Sequence, residues 1–487
     1  NEMAESSLKE RTARGLFWGG LSGGVQQLLA LVIGICLARR LAPGDYGIVA
    51  MLTVFSLLAW NLQESGFTSA IGIKKNITHA DYNAVFWFSV GVSILLYIVL
   101  FLAAPAIAAF NRTPELTLLA RVSFLGFVIS SFSVVQSAYL FRNLMVKQRM
   151  IASFVAVCAG GAVGIVLVYS GYAYWGLIAQ DLTFKAVVTA AYWAMSPWRP
   201  RLRFDMKPVR EMFAFSSKIL ATNILTTLNN QFLQGQMGHY FPRREVGLYS
   251  QANKWNTMGY SLITTTLSSV AQPVLAGADD GKGRQLRVFR KMLRFTAFLS
   301  FPAMFGLALI APEFVPLALR EQWTDCVPYL QVLCMAGSMI PVSQQFSNLL
   351  VSRGRSSKFF IGTAGMMCAQ LAVILGLYSA GHGVHTLICS IALLQIAWTG
   401  VWFAMTRGEI CLSLADTLRD IAPFAVAAGI SVAAAWAASL AVDGMAAKLA
   451  VKAAVAVTVY CAVMKAAHAV VFEECTDFLL SKIRRGK

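Results

Sequence analysis

Charge is scarce in this sequence. Of 487 residues only 13% are Asp, Glu, Lys or Arg, and 23 acidic residues face 41 basic ones. Soluble domains carry about 25% charged residues, so a water-soluble fold is excluded. Paired cysteine is missing as well. The nine cysteines (Cys36, Cys158, Cys326, Cys334, Cys368, Cys389, Cys411, Cys461 and Cys475) are scattered, odd in number and form no CxxC pair. That excludes a disulfide frame and a cysteine metal cage and fits small buried side chains. No GxxxxGK[ST] loop occurs, so the chain does not power itself by hydrolysing ATP. No nucleophile–base arrangement stands out, so no catalytic residue and no cofactor is expected. His382 and His385 have ligand-like spacing but no third ligand nearby, and no metal site is expected. The polar N-terminus leads into apolar spans without a small-residue cleavage site, so no secretory signal peptide is expected.

What fills the chain instead is apolar: 57% of residues are hydrophobic. A bilayer core about 30 Å thick needs about 20 apolar residues of helix. Fourteen stretches qualify, near 14–38, 44–66, 82–109, 114–140, 149–170, 172–196, 212–238, 244–270, 292–315, 324–350, 357–379, 382–405, 417–441 and 446–470. The fold class is an all-α polytopic membrane protein.

The net charge of +18 invites a nucleic-acid reading, and its placement refutes it. Lys/Arg-rich loops stay in the cytoplasm. With the N-terminus inside, 28 of the 41 basic residues fall in inside loops and tails, seven in outside loops and six within spans. The outside seven are Arg39, Arg40, Arg112, Arg243, Arg244, Arg320 and Lys448. An odd number of spans spoils this alternation, so fourteen spans and two cytoplasmic termini are expected together. The basic loops then serve topology and attraction to anionic headgroups.

A basic stretch from Pro197 to Pro208 divides the chain. The expected organisation is a six-helix lobe over 1–196, a cytoplasmic linker over 197–209, a second six-helix lobe over 210–410, and a helix pair with a basic tail over 411–487. The Ala-rich last pair reads as packing. At an offset of 200 residues, Leu41-Ala-Pro-Gly-Asp-Tyr-Gly-Ile48 overlies Phe241-Pro-Arg-Arg-Glu-Val-Gly-Leu248. An even number of helices per lobe keeps the lobes parallel, the arrangement of transporters with a cavity near the midplane. Two similar turns without a repeat are the alternative.

Ionisable groups inside a bilayer cost about 2.5–3.5 kcal/mol each on insertion scales. Lys254, Asp181 and Lys185 lie deepest by position. Asp181 and Lys185 are four apart and either neutralise one another on one helix face or serve a substrate. Lys254 has no acidic neighbour at helical spacing, and is read as a contact for an anion or as a partner in a pair across helices. Arg121 and Lys218 are nearer the interfaces and have reach enough to snorkel. Glu64, at the inner end of its span, is either a coupling carboxylate or a solvated helix end. Asn223, Thr226, Thr227, Asn230 and Gln234 form a stripe at helical spacing, which Gln251 and Lys254 extend into the next span. Such amides either bridge helices or line a cavity. Beside cations they suit a ligand with many hydroxyls and an anionic group.

Local sequences then become recognisable. Leu37 to Met51, with Ala42-Pro-Gly-Asp-Tyr-Gly47 at its centre, resembles the turn between the first two helices of bacterial oligosaccharide flippases of the Wzx type. These belong to the multidrug/oligosaccharidyl-lipid/polysaccharide exporter superfamily. Gln63-Glu-Ser-Gly-Phe67, Lys74 to Trp87 and Val246 to Lys254 resemble the same family, over about residues 10–410, with the nearest look to colanic-acid-exporter-like members. One position departs: relatives often carry Asp before the Gly where this chain has Glu64-Ser65. The resemblance implies export of undecaprenyl-diphosphate-linked oligosaccharide from the cytoplasmic to the periplasmic leaflet of the bacterial inner membrane. It implies alternating access through a cationic cavity, with Lys254, Lys185, Arg121 and Lys218 as diphosphate contacts. Asn223, Asn230, Gln234 and Gln251 become glycan contacts, and Asp181 and Glu64 candidates for proton or sodium coupling. The expected partners are the lipid-linked oligosaccharide and membrane lipid, with no nucleic acid, and a monomer is expected. The competing readings are a cation-coupled multidrug antiporter of the same superfamily and a lipid II flippase. A membrane-embedded glycosyltransferase or polymerase is a third, which calls for a large outside loop that this chain lacks.

Overall fold

A computed structural model describes residues 26–64, 77–143, 145–202, 209–210, 233–276, 282–353, 355–469 and 471–473, with isolated helical positions between 220 and 231. The chain folds as two compact units, Asn1–Gly247 and Leu248–Lys487.

In the first unit the described helices are α1 Gln26–Ala38, α2 Pro43–Glu64, α3 His79–Phe110, α4 Leu116–Ser131, α5 Val134–Arg142, α6 Val146–Tyr169 and α7 Tyr174–Met195. Residues 233–240 are helical as well. In the second unit α8 Arg243–Ala276, whose first turn belongs to the first unit, is followed by α9 Lys282–Leu319 and a 3₁₀ turn, Glu321–Cys326. Then come α10 Val327–Gly337, α11 Ile340–Ser352, α12 Ser356–Ser379, α13 Val384–Ile410, α14 Leu414–Ser439 and α15 Met445–Ala466. Among the described residues nine helical stretches are long and apolar enough to cross a membrane, ten if α4 and α5, bent by 42°, count as one span. This is a multi-pass membrane protein.

Start signals in the sequence explain where helices begin. Thr78 caps α3 by accepting from the Asp81 amide, and Asp81 accepts from the Thr78 amide at 2.8 Å, a reciprocal capping box. Inside long helices the prolines leave a carbonyl four residues back without its amide donor. For three of them a neighbouring helix supplies one. Pro105 frees the Phe101 carbonyl, which accepts from Arg121 Nε at 3.5 Å. Pro302 frees that of Phe298, which accepts from Tyr460 Oη at 2.9 Å. Pro312 frees that of Ala308, which accepts from Gln331 Nε2 at 3.2 Å. With no water in hydrocarbon to take these bonds, helix breakers persist only where a neighbour re-satisfies the backbone.

The two turns that overlie at an offset of 200 residues meet in the first unit. A Cβ on Gly47 would stand 1.8 Å from the Arg243 carbonyl oxygen, and one on Gly247 would stand 1.7 Å from that of Pro43. Only glycine permits this reciprocal backbone contact. A second echo lies in backbone hydrogen bonds. Asn143 N to Tyr139 O, Met145 N to Leu140 O and Tyr172 N to Leu167 O recur 210 residues on as Arg353 to Leu349, Arg355 to Leu350 and His382 to Leu377. Gly171 and Gly381, at φ 94° and 73°, close the corresponding helix ends.

The start of the basic stretch is docked onto the first unit. Trp198 is buried against Tyr82 and Phe86, with ring centroids 5.9 and 5.8 Å away. The Arg201 amide donates to Asn83 Oδ1 at 2.7 Å, and Trp87 Nε1 donates to the Arg201 carbonyl at 2.8 Å. In the second unit the core runs from Phe289 and Leu293 through Phe346 and Phe424 to Tyr460. Asp420, 1% exposed, ties α14 to α9 by accepting from Arg290 at 2.6 Å and Arg294 at 2.5 Å.

Candidate functional site

Arg121 and Lys185, two of the cations that the sequence places inside the membrane, are both engaged. Arg121, on α4, donates to the Phe101 carbonyl and lies over the Phe101 ring, 4.3 Å from its centroid. Its work is to repair the break at Pro105. Lys185, on α7, donates to Asp181 Oδ2 one turn earlier at 2.6 Å. Its side chain is only 16% exposed and packs on Gly126 and over Phe127, whereas that of Asp181 is 47% exposed. The two form an i, i+4 pair on one face. Lys218, Asn223 and Asn230 lie outside the described residues, and so does the side chain of Glu64, which closes α2.

Lys254 behaves differently. It is exposed on α8, and among the described residues it has neither a hydrogen bond nor an ion pair. The 34-residue helix that carries it is two-sided. One side buries Gln251, Ala252, Trp255 and Asn256. The other presents Lys254, Thr257, Ser261, Thr264 and Thr265 at steps of three and four. Thr264 and Thr265 donate their hydroxyl protons to the Ser261 carbonyl at 3.0 and 2.8 Å, and Ser261 donates to that of Met258 at 3.4 Å. With their protons committed to backbone carbonyls, the Ser261 and Thr264 oxygens keep acceptor lone pairs, on the side of the helix that carries Lys254. Ionisable and polar faces in membrane helices line water-filled cavities or the bundle interior rather than lipid. The stripe escaped the sequence reading, although its three- and four-residue spacing is plain once Lys254 anchors it.

The amides divide. Gln234 is buried and donates from Nε2 to the Ala50 carbonyl at 3.2 Å, so it bridges helices. Thr227 accepts from Asn61 Nδ2 at 2.7 Å. Gln251, 1% exposed, has no partner for Nε2 or Oε1 among the described residues, and Trp255 Nε1 and Asn256 Oδ1 are likewise unpartnered. Three unpartnered polar groups within two turns set this segment of α8 apart, because buried polar groups are ordinarily satisfied.

Another charged pair was not legible in the sequence. Lys452, on α15, donates to Glu313 Oε1 at 2.6 Å and to the Leu309 carbonyl at 3.3 Å, with both side chains nearly buried. It fastens the last helix to α9. Among the described residues no group of three or more His, Cys, Asp or Glu is arranged to hold a metal.

The profile of the family described as "Polysaccharide biosynthesis protein" matches residues 36–328. The lipopolysaccharide biosynthesis protein WzxC of Escherichia coli K12 is 26% identical over 390 residues, 76% of this chain and 78% of that one. The succinoglycan biosynthesis transport protein ExoT of Rhizobium meliloti is 24% identical over 71% of this chain and 70% of its own length. The teichuronic acid biosynthesis protein TuaB of Bacillus subtilis is 22% identical over 80% of each. Among solved structures, the lipid II flippase MurJ in an inward closed conformation superposes with a TM-score of 0.72 at 12% identity, covering 94% of this chain and 99% of that one. An inward-facing MATE multidrug transporter gives 0.65 at 17% identity, covering 79% and 94%. These structures show a shared fold. With the profile spanning more than half of its length, the chain belongs to the polysaccharide biosynthesis protein family.

Proposed function

We propose that the chain is a flippase that moves undecaprenyl-diphosphate-linked oligosaccharide from the cytoplasmic to the periplasmic leaflet of the bacterial inner membrane. The observation that carries this reading is Lys254: an exposed ammonium without a hydrogen bond or ion pair among the described residues, on a helix face that carries hydroxyls, in a multi-pass member of a polysaccharide biosynthesis family. An ammonium suits a diphosphate as a point charge, and hydroxyl oxygens suit a sugar. In the proposed cycle fourteen helices with cytoplasmic termini form two lobes that alternate access to a cavity lined by Lys254. A diphosphate carries about two negative charges, and an inside-negative potential drives it outward. At about 2.3 kcal/mol per charge per 100 mV, that favours export by about 4–5 kcal/mol.

The names of WzxC, ExoT and TuaB support a saccharide cargo, since they speak of lipopolysaccharide, succinoglycan and teichuronic acid biosynthesis. The antiporter reading needs an acidic group free to bind a cation deep in the membrane. Asp181 is held by Lys185, which weighs against it.

The test is reconstitution of the purified protein with an undecaprenyl-diphosphate oligosaccharide. Glycan accessible to an external modifying enzyme is followed under an imposed membrane potential. Protein-dependent transfer that rises with the potential is expected. Failure to move the lipid-linked glycan, with export of a cationic dye against a proton or sodium gradient, selects the antiporter instead.

A further inference from the structure

A second polar site lies at one end of the first unit. The end of α3, the start of α4 and residues 238–243 enclose a cavity of about 430 Å³. Arg112, Arg243 and His239 line it, with Asn111, Glu115 and Thr113. Three features make it a built site rather than a surface dent.

The first is Arg112. Its φ of 52° puts it in the left-handed region at the end of α3, a place where glycine is ordinarily found. A side chain held there against its backbone preference points to a use for that side chain. The Arg112 guanidinium has no partner among the described residues. The second is Asn111, 4% exposed: Nδ2 donates to the Ile107 carbonyl at 2.9 Å, while Oδ1 has no partner among the described residues. The third is His239. Nδ1 donates to the Phe110 carbonyl and the ring stacks on Phe110 at 4.3 Å, which orients Nε2 as the remaining polar edge. Arg243 pairs with Glu115 at 3.2 Å, whereas Arg112 has no ion pair among the described residues.

We infer that this pocket binds an oxyanion carried on a hydroxyl-rich group: the carboxylate of an acidic sugar, or the diphosphate that joins glycan to lipid. The planar guanidinium of Arg112 matches either anion with two parallel hydrogen bonds, and the Asn111 oxygen accepts from a neighbouring hydroxyl. The inference rests on the flippase reading, and it adds a substrate contact outside the Lys254 face. The loops of Arg112 and Arg243 are those that the charge pattern assigns to the periplasmic side, which makes the pocket a receiving site for cargo that has crossed.

Titration calorimetry on the full-length detergent-solubilised protein tests it with three free probes: a glucuronate-containing disaccharide, the same disaccharide with its carboxyl reduced, and inorganic pyrophosphate. At least one anionic probe is expected to bind ~10-fold or more tightly than the neutral sugar. Arg112→Gly is the decisive variant, because it removes the guanidinium and relieves the backbone at once. It should lower that affinity at least ~10-fold while the melting temperature holds or rises. Loss confined to the disaccharide names the acidic sugar as the source, and loss confined to pyrophosphate names the diphosphate. No preference for either anion, or unchanged binding by Arg112→Gly, overturns the inference. The probes carry no lipid and the assay involves no transport, so this failure leaves the flippase reading standing. A wild-type protein that binds the probe but flips no lipid fails that reading alone.

Discussion

Two lysines of the second unit, Lys254 and Lys452, meet the membrane in opposite ways. Lys452 is buried, donates to Glu313 and to a backbone carbonyl, and joins α15 to α9. Lys254 is exposed, unpartnered among the described residues, and set on a face of hydroxyls. Both are lysines in the body of a long helix, so burial and partner, not residue type, separate structure from function. The same criterion sorts the first unit: Arg121 and Lys185 are both engaged.

The largest expected effect comes from breaking the buried pair. Glu313→Ala leaves the Lys452 ammonium buried alone and should destabilise the protein by about 3–5 kcal/mol, read as a loss of melting temperature and of folded yield in detergent. Lys254→Ala should do the reverse, with export falling ~10-fold or more, about 1.4 kcal/mol in substrate stabilisation, at unchanged melting temperature. Leaflet-transfer rates beside thermal unfolding check this, and undiminished export removes Lys254 from the site. Tyr460→Phe, which strips the donor from the carbonyl freed by Pro302, should cost about 1–3 kcal/mol of stability and leave per-molecule transport intact. The double variant Lys452→Met with Glu313→Leu should lie near wild type in stability, because removing both charges of a buried pair is often neutral. If it unfolds like Glu313→Ala, the pair does more than neutralise itself.

Much of the fold was legible because hydropathy and loop charge are local signals that add up along a span. The Asp181–Lys185 pair is also local, lying within one turn. What stayed hidden needed two distant segments. Lys452 and Glu313 are 139 residues apart, and nothing near either names the other. The role of Arg121 was half visible: Pro105 frees the Phe101 carbonyl, and positions 101 and 121 lie equally far from the turn at Asn111, so a helical hairpin brings them level. Gln234 read as a glycan contact because its stripe was polar, and only the packing of residues 233–240 on α2 turned it toward the Ala50 carbonyl. The pocket around Arg112 left no local motif beyond an arginine at a helix end.

The central claim is that Lys254 faces an aqueous, substrate-occupied space. It is tested most directly by placing a cysteine there, Lys254→Cys, in a background freed of the nine native cysteines, and measuring its reaction with a water-soluble thiol reagent with and without lipid-linked oligosaccharide. Ala252→Cys, on the buried face of the same helix, is the comparison. Fast modification at position 254 that substrate slows, against little at position 252, is the predicted result. Equal modification at both positions, or reaction at 254 that substrate leaves unchanged, contradicts the account.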